Sequence, residues 1–540
     1  MASKIFASAS GASVHRKAVP DAVNNAGANA YSLGTKGTLA QMAVTGVFND
    51  TFYASARGQL DDVKALTDQV DAEFLGRLAV YARNKAYMKD LPAYLCAVLA
   101  TRDVGVLAKV FPRVIDNGKM LRNFVQMVRS GETGRKSLGS RPKKLVAQWL
   151  TAANDAQLLS ASVGNAPSLA DVIRLSHPKA EDASRDAFFA HILGKTVELD
   201  ALPGVVRDLE KFRSGDSIVL PKAPFELLTS MELSKADWVN VARNASWTQT
   251  RMNLNTFARH GVFDVSPTQM GNKLAKAGVK SEVVDDMVQL VANRLRDPEL
   301  VAKAKVFPYQ LLAAYLNTND QVPSRIRDAL QDAMELAVAN VPEFDREVAV
   351  LVDTSGSMGN AVTGSRPGST SKIRCVDVAG LFASAVLRRN PSATVVPFDT
   401  KVHQARLNGR DSVISNATAL AKFGGGGTNC GAAMKHLNDV KSNAELVIYV
   451  SDNESWMDDG YGGHRKTEVM AQWDVYKKRV PSAKLVCIDI TPNGTSQAKE
   501  RKDILNVGGF SDEVFNIVNL FARSELGGNH WVGEIEKIAL

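Results

Sequence analysis

The stretch Val348-Ala349-Val350-Leu351-Val352-Asp353-Thr354-Ser355-Gly356-Ser357 decides how the chain is read. Its apolar run is short and rich in β-branched residues, which suits a strand buried on both faces. An acid and two serines follow at once, where such a strand ends. The rhythm then repeats. Strand patterns at 393–398, 446–450 and 484–490, with a short one at 513–516, alternate with helical patterns at 373–389, 412–422, 430–437 and 468–479. Alternation of this kind predicts a mostly parallel, doubly wound α/β sheet with helices on both faces. Ligands of such sheets bind beyond the carboxyl ends of the strands.

Upstream of this region the periodicity changes. Apolar residues recur at spacings of three and four over 60–71, 72–84, 91–100, 103–111, 119–129, 145–154, 182–193, 233–244, 248–260, 281–295 and 325–340. Ser168 stands where it can cap a helix entering Leu169. Helix following helix with polar loops between predicts an α-solenoid. No repeat is visible as self-similarity, so a compact bundle is the competing arrangement. The expected division is a mobile tail over 1–31, a helical module over 32–344 and an α/β domain over 345–540. A chain of 540 residues needs more than one core in any case.

Hydrophobic content of 45% and charged content of 23% are globular values and exclude a mostly disordered chain. No apolar run approaches the length of a membrane span. Cys96, Cys375, Cys430 and Cys487 are widely separated, with no CxxC pair. They are expected to be reduced, buried thiols of a cytoplasmic protein and not a zinc site. The first residues are rich in Ala and Ser, with Lys4, Arg16 and Lys17 and no acid, loosely like a transit peptide.

The charge is uneven. Residues 1–340 hold 42 basic and 34 acidic side chains, the whole net excess of +8; residues 341–540 hold 23 of each. The densest stretch carries Lys119, Arg122, Arg129, Arg135, Lys136, Arg141, Lys143 and Lys144, with Glu132 as its one acid. Such a patch attracts polyanions and releases their counterions.

Three loops at the expected carboxyl edge carry oxygen donors: Asp353, Ser355 and Ser357 after the first strand, Thr428 after four glycines, and Asp452 after 446–450. Two carboxylates and three hydroxyls suit a hard cation such as Mg²⁺. The glycines are not followed by Gly-Lys-Ser/Thr, which excludes a P-loop. A phosphoryl-aspartate enzyme would want a second acid soon after Asp353, and Ser355 stands there.

This constellation resembles the metal-ion-dependent adhesion site of von Willebrand factor A domains. By that resemblance Ser355, Ser357 and Thr428 ligate directly, Asp353 and Asp452 act through water, and one position is left for a partner's acid. The segments 423–430 (FGGGGTNC), 450–456 (VSDNESW) and 507–510 (VGGF) further resemble the A domain of the Ro 60 kDa autoantigen family and its bacterial relatives. In the helical part, 43–55 (AVTGVFNDTFYAS), 87–92 (YMKDLP), 135–138 (RKSL), 174–177 (RLSH) and 306–309 (VFPY) resemble the same family's TROVE module.

The resemblance implies HEAT-like repeats closed into a monomeric ring, with small structured Y RNA on the outer surface. It also implies single-stranded 3′ ends of misfolded RNA in the hole, and an exoribonuclease such as polynucleotide phosphorylase as a partner. By the same resemblance His177 contacts RNA, and Arg251 either lines the hole or pairs with a neighbouring repeat. The residues signal no nucleophile–base pair and no carboxylate cluster of the two-metal kind. A different class of reading makes the chain a Mg²⁺-dependent protein-adhesion module with a protein-binding solenoid. A metal-dependent hydrolase using Asp353 is a third.

Overall fold

The computed structural model describes residues 19–264, 287–304, 306, 308–338, 341–365, 373–456, 466–527 and 529–540. The start of the helix expected over 281–295 lies outside the described residues, as do the beginning of the tail and residues 366–372 and 457–465.

Five parallel strands form the sheet of the C-terminal domain: β3 (Val348–Asp353), β4 (Thr394–Phe398), β5 (Leu446–Ser451), β6 (Lys484–Asp489) and β8 (Ile504–Gly508). They lie in the order β4-β3-β5-β6-β8. Every residue of β3 and β5 is buried, as the unbroken apolar runs require. Alternate side chains serve two cores. Ala349, Leu351, Val447 and Tyr449 pack with Met434, Trp473 and Tyr476 on one face. Val348, Val350, Val352, Ile448 and Val450 join a core on the other face that runs on into the helical module.

Two expectations are corrected here. Residues 513–516 are not a strand. They lie in the helix Asp512–Ala522, where Val514, Ile517, Val518 and Phe521 recur at helical spacing and are buried. The fifth strand is β8, just before it. The second correction concerns the expected tail: β1 (Ala22–Val23) and β2 (Asn29–Ser32) form a hairpin, and Tyr31 and Ser32 of β2 pair with Ser496 and Thr495 of β7 (Thr495–Ser496) in the C-terminal domain. Tyr31 is fully buried there.

The helical module runs as helices packed against their neighbours from Gly34–Thr45 to Ser324–Ala337. Ser168 caps its helix and shares a reciprocal box with Asp171. The 248–260 pattern breaks at Asn253 into Trp247–Met252 and Leu254–Arg259. Both ends of the module return to the C-terminal domain. At the start, helix Gly34–Thr45 packs on β8, and buried Gln41 donates to the Asp489 and Thr491 carbonyls at 3.2 and 3.1 Å. A Cβ on Gly508 would stand 1.9 Å from the Gln41 side chain, so only glycine fits. Nearby, Trp531 donates to the Tyr81 hydroxyl at 3.0 Å. At the end, Glu335 pairs with Arg388 at 3.1 Å and accepts from the Val413 amide at 2.8 Å. Asn390 binds the backbone of Pro342 and Phe344. The solenoid is therefore closed into a ring through the α/β domain.

A repeat hidden in the sequence shows in the hydrogen bonds. Arg102 donates to Thr67 O, Arg135 to Ala100 O and Arg185 to Leu150 O, each across 35 residues. Arg294 likewise donates to the Ala242 and Arg243 carbonyls, across 52 and 51 residues. Each guanidinium closes the carbonyl end of an earlier helix, where a cation is favoured. Arg185 is the most fully engaged, also holding Ala153 O at 2.8 Å and Asp155 at 3.2 Å. Arg185→Ala is expected to cost about 1–3 kcal/mol by leaving these part-buried carbonyls unpaired. A chemical-denaturation midpoint unchanged from wild type would contradict this.

Candidate functional site

The reversal of strand order falls between β3 and β5, since β4 lies to one side and β6 and β8 to the other. Crevices at such points are where ligands bind. Asp353 ends β3 and Asp452 follows β5, so both reach this edge from adjacent strands. The glycine loop closes the third side. Gly356 N donates to Gly426 O and Gly425 N to Thr354 O, both at 2.8 Å. Gly424 has φ +82°, and a Cβ there would stand 2.0 Å from Thr354 O. Glycine at this position is thus a condition for the two loops to meet. Thr428 is drawn to the third loop by the Trp456 amide, which donates to its carbonyl at 3.1 Å.

All five oxygen-bearing residues are buried. Asp353 accepts from Ser451 Oγ at 2.6 Å and from the Ser355 amide at 2.8 Å. The Ser355 and Ser357 hydroxyls lie 3.3 Å apart, and Ser357 and Asp452 border one small cavity. Burial, and then Asp452, push the Asp353 carboxyl up to about 7. Burial also raises Asp452. Two further acids join them. Glu454 is pushed up to about 7 by burial and then by Asp452, and burial drives Asp489 well above the carboxylate range.

The groups facing these four carboxyls are hydroxyls, amides and one another. Buried carboxylates without a cationic partner are costly. A hard divalent cation among Asp353, Ser355, Ser357, Thr428 and Asp452 would offset that cost with the donor set it prefers, so the residues present fit such an ion. Among the described residues there is no group of three or more His, Cys, Asp or Glu arranged as a metal site, so the fit depends on the hydroxyls. Glu454 was not among the residues singled out from sequence, although it lies inside 450–456. It accepts from Asn25 Nδ2 at 2.9 Å and Ala26 N at 3.2 Å, so the first hairpin of the chain also borders the site.

Residues 347–522 match the family described as the Ro60 vWA domain. The chain is Ro-like. It is 27% identical over 531 residues to RNA-binding protein RO60 of Deinococcus radiodurans, covering 93% of this chain and 95% of that one. RNA-binding protein RO60 of Caenorhabditis elegans is 22% identical over 277 residues, 49% of this chain and 42% of that one. The crystal structure of the Deinococcus radiodurans Ro (RSR) protein superposes with a TM-score of 0.62 at 23% identity, covering 91% of this chain and all of that one. That last likeness is one of fold.

The basic residues of this Ro-like chain divide into two kinds. Lys119, Arg129, Lys136, Arg141 and Lys144 are exposed, and Lys143 is half-buried. Glu132, the one acid among them, is taken up by Arg57 at 2.6 Å and lies 3.8 Å from Lys64. By contrast Arg135 holds Ala100 O at 3.0 Å. Arg122 packs on Gly164 and reaches Pro167 O at 3.4 Å. Arg251 is half-buried and donates to Gln310 O at 2.8 Å, which is the pairing with a neighbouring repeat. His177 is exposed in the left-handed region (φ +49°), at the end of helix Leu169–Ser176. The four cysteines are buried and unbridged. No described helix is long and apolar enough to cross a membrane.

The raised carboxyls set a pH dependence. Asp353 binds its proton more tightly folded than unfolded, so its contribution favours the fold at low pH. That contribution is lost as pH rises from the ordinary value of 3.8 towards about 7. Asp353→Asn is therefore expected to stabilise the cation-free protein near neutral pH and much less at pH about 4. Thermal unfolding of both proteins across that range checks it; a gap that is constant with pH would contradict it.

Proposed function

We propose that this protein is the RNA-binding component of a Ro-like ribonucleoprotein. The reading rests above all on one observation: a ring-closed helical module carries exposed Lys119, Arg129, Lys136, Arg141 and Lys144 with their only sequence-local acid already neutralised. The relatives named as RNA-binding proteins support it. On this reading structured small RNA of the Y type lies on that face, held by its phosphates and recognised by shape. Single-stranded 3′ ends of misfolded RNA enter the hole. The complex serves RNA quality control and decay, with an exoribonuclease such as polynucleotide phosphorylase brought in through the RNA, in the cytoplasm. The role is binding and not catalysis.

The A domain in this reading holds Mg²⁺, or another divalent cation, between Asp353, Ser355, Ser357, Thr428 and Asp452. The ion supplies a Lewis-acidic centre; the serine and threonine hydroxyls leave its charge little diminished. The chain's own part is to hold three loops at one edge and keep bulk water away.

RNA affinity should fall with salt, by about 0.7 to 0.9 in log K per log salt for each phosphate contacted. Replacing Lys136, Arg141 and Lys144 together by Glu is expected to weaken binding at least about tenfold and make that slope shallower by about 2. Asp353→Ala should leave RNA affinity intact. Fluorescence anisotropy with a stem-loop RNA across a salt series measures all three. A flat salt dependence would remove the reading.

A further inference from the structure

The candidate cation site has a neighbour from the other half of the chain. Residues 49–53 link helix Gly34–Thr45 to helix Ala56–Asp68 and lie against residues 363–365 of the A domain. Asn49 Nδ2 donates to Thr363 O at 2.7 Å. Asp50 and Ser365 exchange both backbone hydrogen bonds, at 3.1 and 2.7 Å. Gln59 holds the loop from behind, donating to Asn49 O at 2.6 Å. Gly364 between them has φ +66°, and a Cβ there would stand 2.6 Å from Asp50 O and 2.9 Å from Asn49 Cβ. Residues 363–365 are shaped to receive this loop, and a side chain at Gly364 would lift it.

At the end of the loop, Tyr53 borders the same small cavity as Ser357 and Asp452, and burial, with Asp452, Glu454 and Asp353 near by, raises its phenol above the usual tyrosine range. The cavity, of about 20 Å³, is bounded by Thr51, Phe52 and Tyr53 on one side and by Ser357, Asn360 and Asp452 on the other. That is room for one water or one ion and not for a partner's carboxylate. The charge balance agrees. Asp353 and Asp452 already match a divalent ion, and a neutral phenol completes its surroundings without adding charge in a buried place.

We propose that the 49–53 loop, through Tyr53, closes the outer face of the cation site. The position that an adhesion site of this kind offers to a partner's acid is then filled from within the chain. This rests on the cation reading above. Because the ion would touch the A-domain loops while Tyr53 covers it, ion binding and the seam between the modules stabilise each other by mass action. An external acid reaches the ion only if the loop leaves.

The test uses the full chain with Mn²⁺ as the probe. Ion release is followed after mixing with excess EDTA, and water access to the bound ion by proton relaxation. In both Tyr53→Ala and Gly364→Ala, release is expected to be about tenfold faster, the scale of one lost hydrogen bond, with greater water access. Tyr53→Phe tests the hydroxyl alone with the ring kept in place. It should lie between wild type and Tyr53→Ala, and it carries the test if Tyr53→Ala does not fold. Unchanged release and relaxation in these variants, with tight binding by wild type, would overturn the closure and leave the cation site standing. No Mn²⁺ binding by wild type, or equal binding by Asp353→Ala, would overturn the cation reading and the closure with it.

Discussion

A stack of helices has two raw ends, each an apolar face that must be covered. Here one domain covers both, and the rest of the structure depends on it. The starting end is set by Gln41, buried and bonded to two carbonyls at the edge of β6, with Gly508 leaving it just enough space. The finishing end is set by Glu335 and Asn390. Unpairing a buried amide costs more than an exposed ion pair contributes. The seam therefore has a defined register, and the ring a defined circumference.

Within the ring, positive charge has two uses that composition does not separate. Arg102, Arg135, Arg185 and Arg294 close the carbonyl ends of helices. These guanidiniums are committed to backbone and act as mortar between repeats. Lysines such as Lys119, Lys136 and Lys144 stay in solvent. This division has a physical basis: a planar fork with several donors suits a cluster of carbonyls, while an ammonium on a flexible stem suits a phosphate passing by. The net excess of the helical region thus overstates the charge free to meet a polyanion.

Much of the A domain was legible because parallel strands buried on both faces appear as unbroken apolar runs, as in β3 and β5. β8 was not, because Asn506 interrupts it; the structure accommodates that amide between Ser496 Oγ and Ala498 O. The donor residues of the site could be read because they directly follow strands. Their enclosure could not, since Glu454 and Tyr53 take their meaning from Asn25 and Ser357, far away in sequence. The first described hairpin reads as a tail for the same reason: its partner strand is made of Thr495 and Ser496. The helical repeat escaped notice because its signature is an arginine meeting a main-chain carbonyl, and a carbonyl has no letter in the sequence.

The pairing of β2 with β7 also fixes an order of events in biosynthesis. Neighbouring helices find each other locally and early, whereas contacts across most of the chain form slowly and late. Until β6, β7 and β8 have left the ribosome, the strand pairing and the Gln41 contacts that fasten the start of the module are missing. Once these strands have paired, in the usual order of synthesis, the first and last helices of the module are tied to one domain, and neither end can move away without unpairing them.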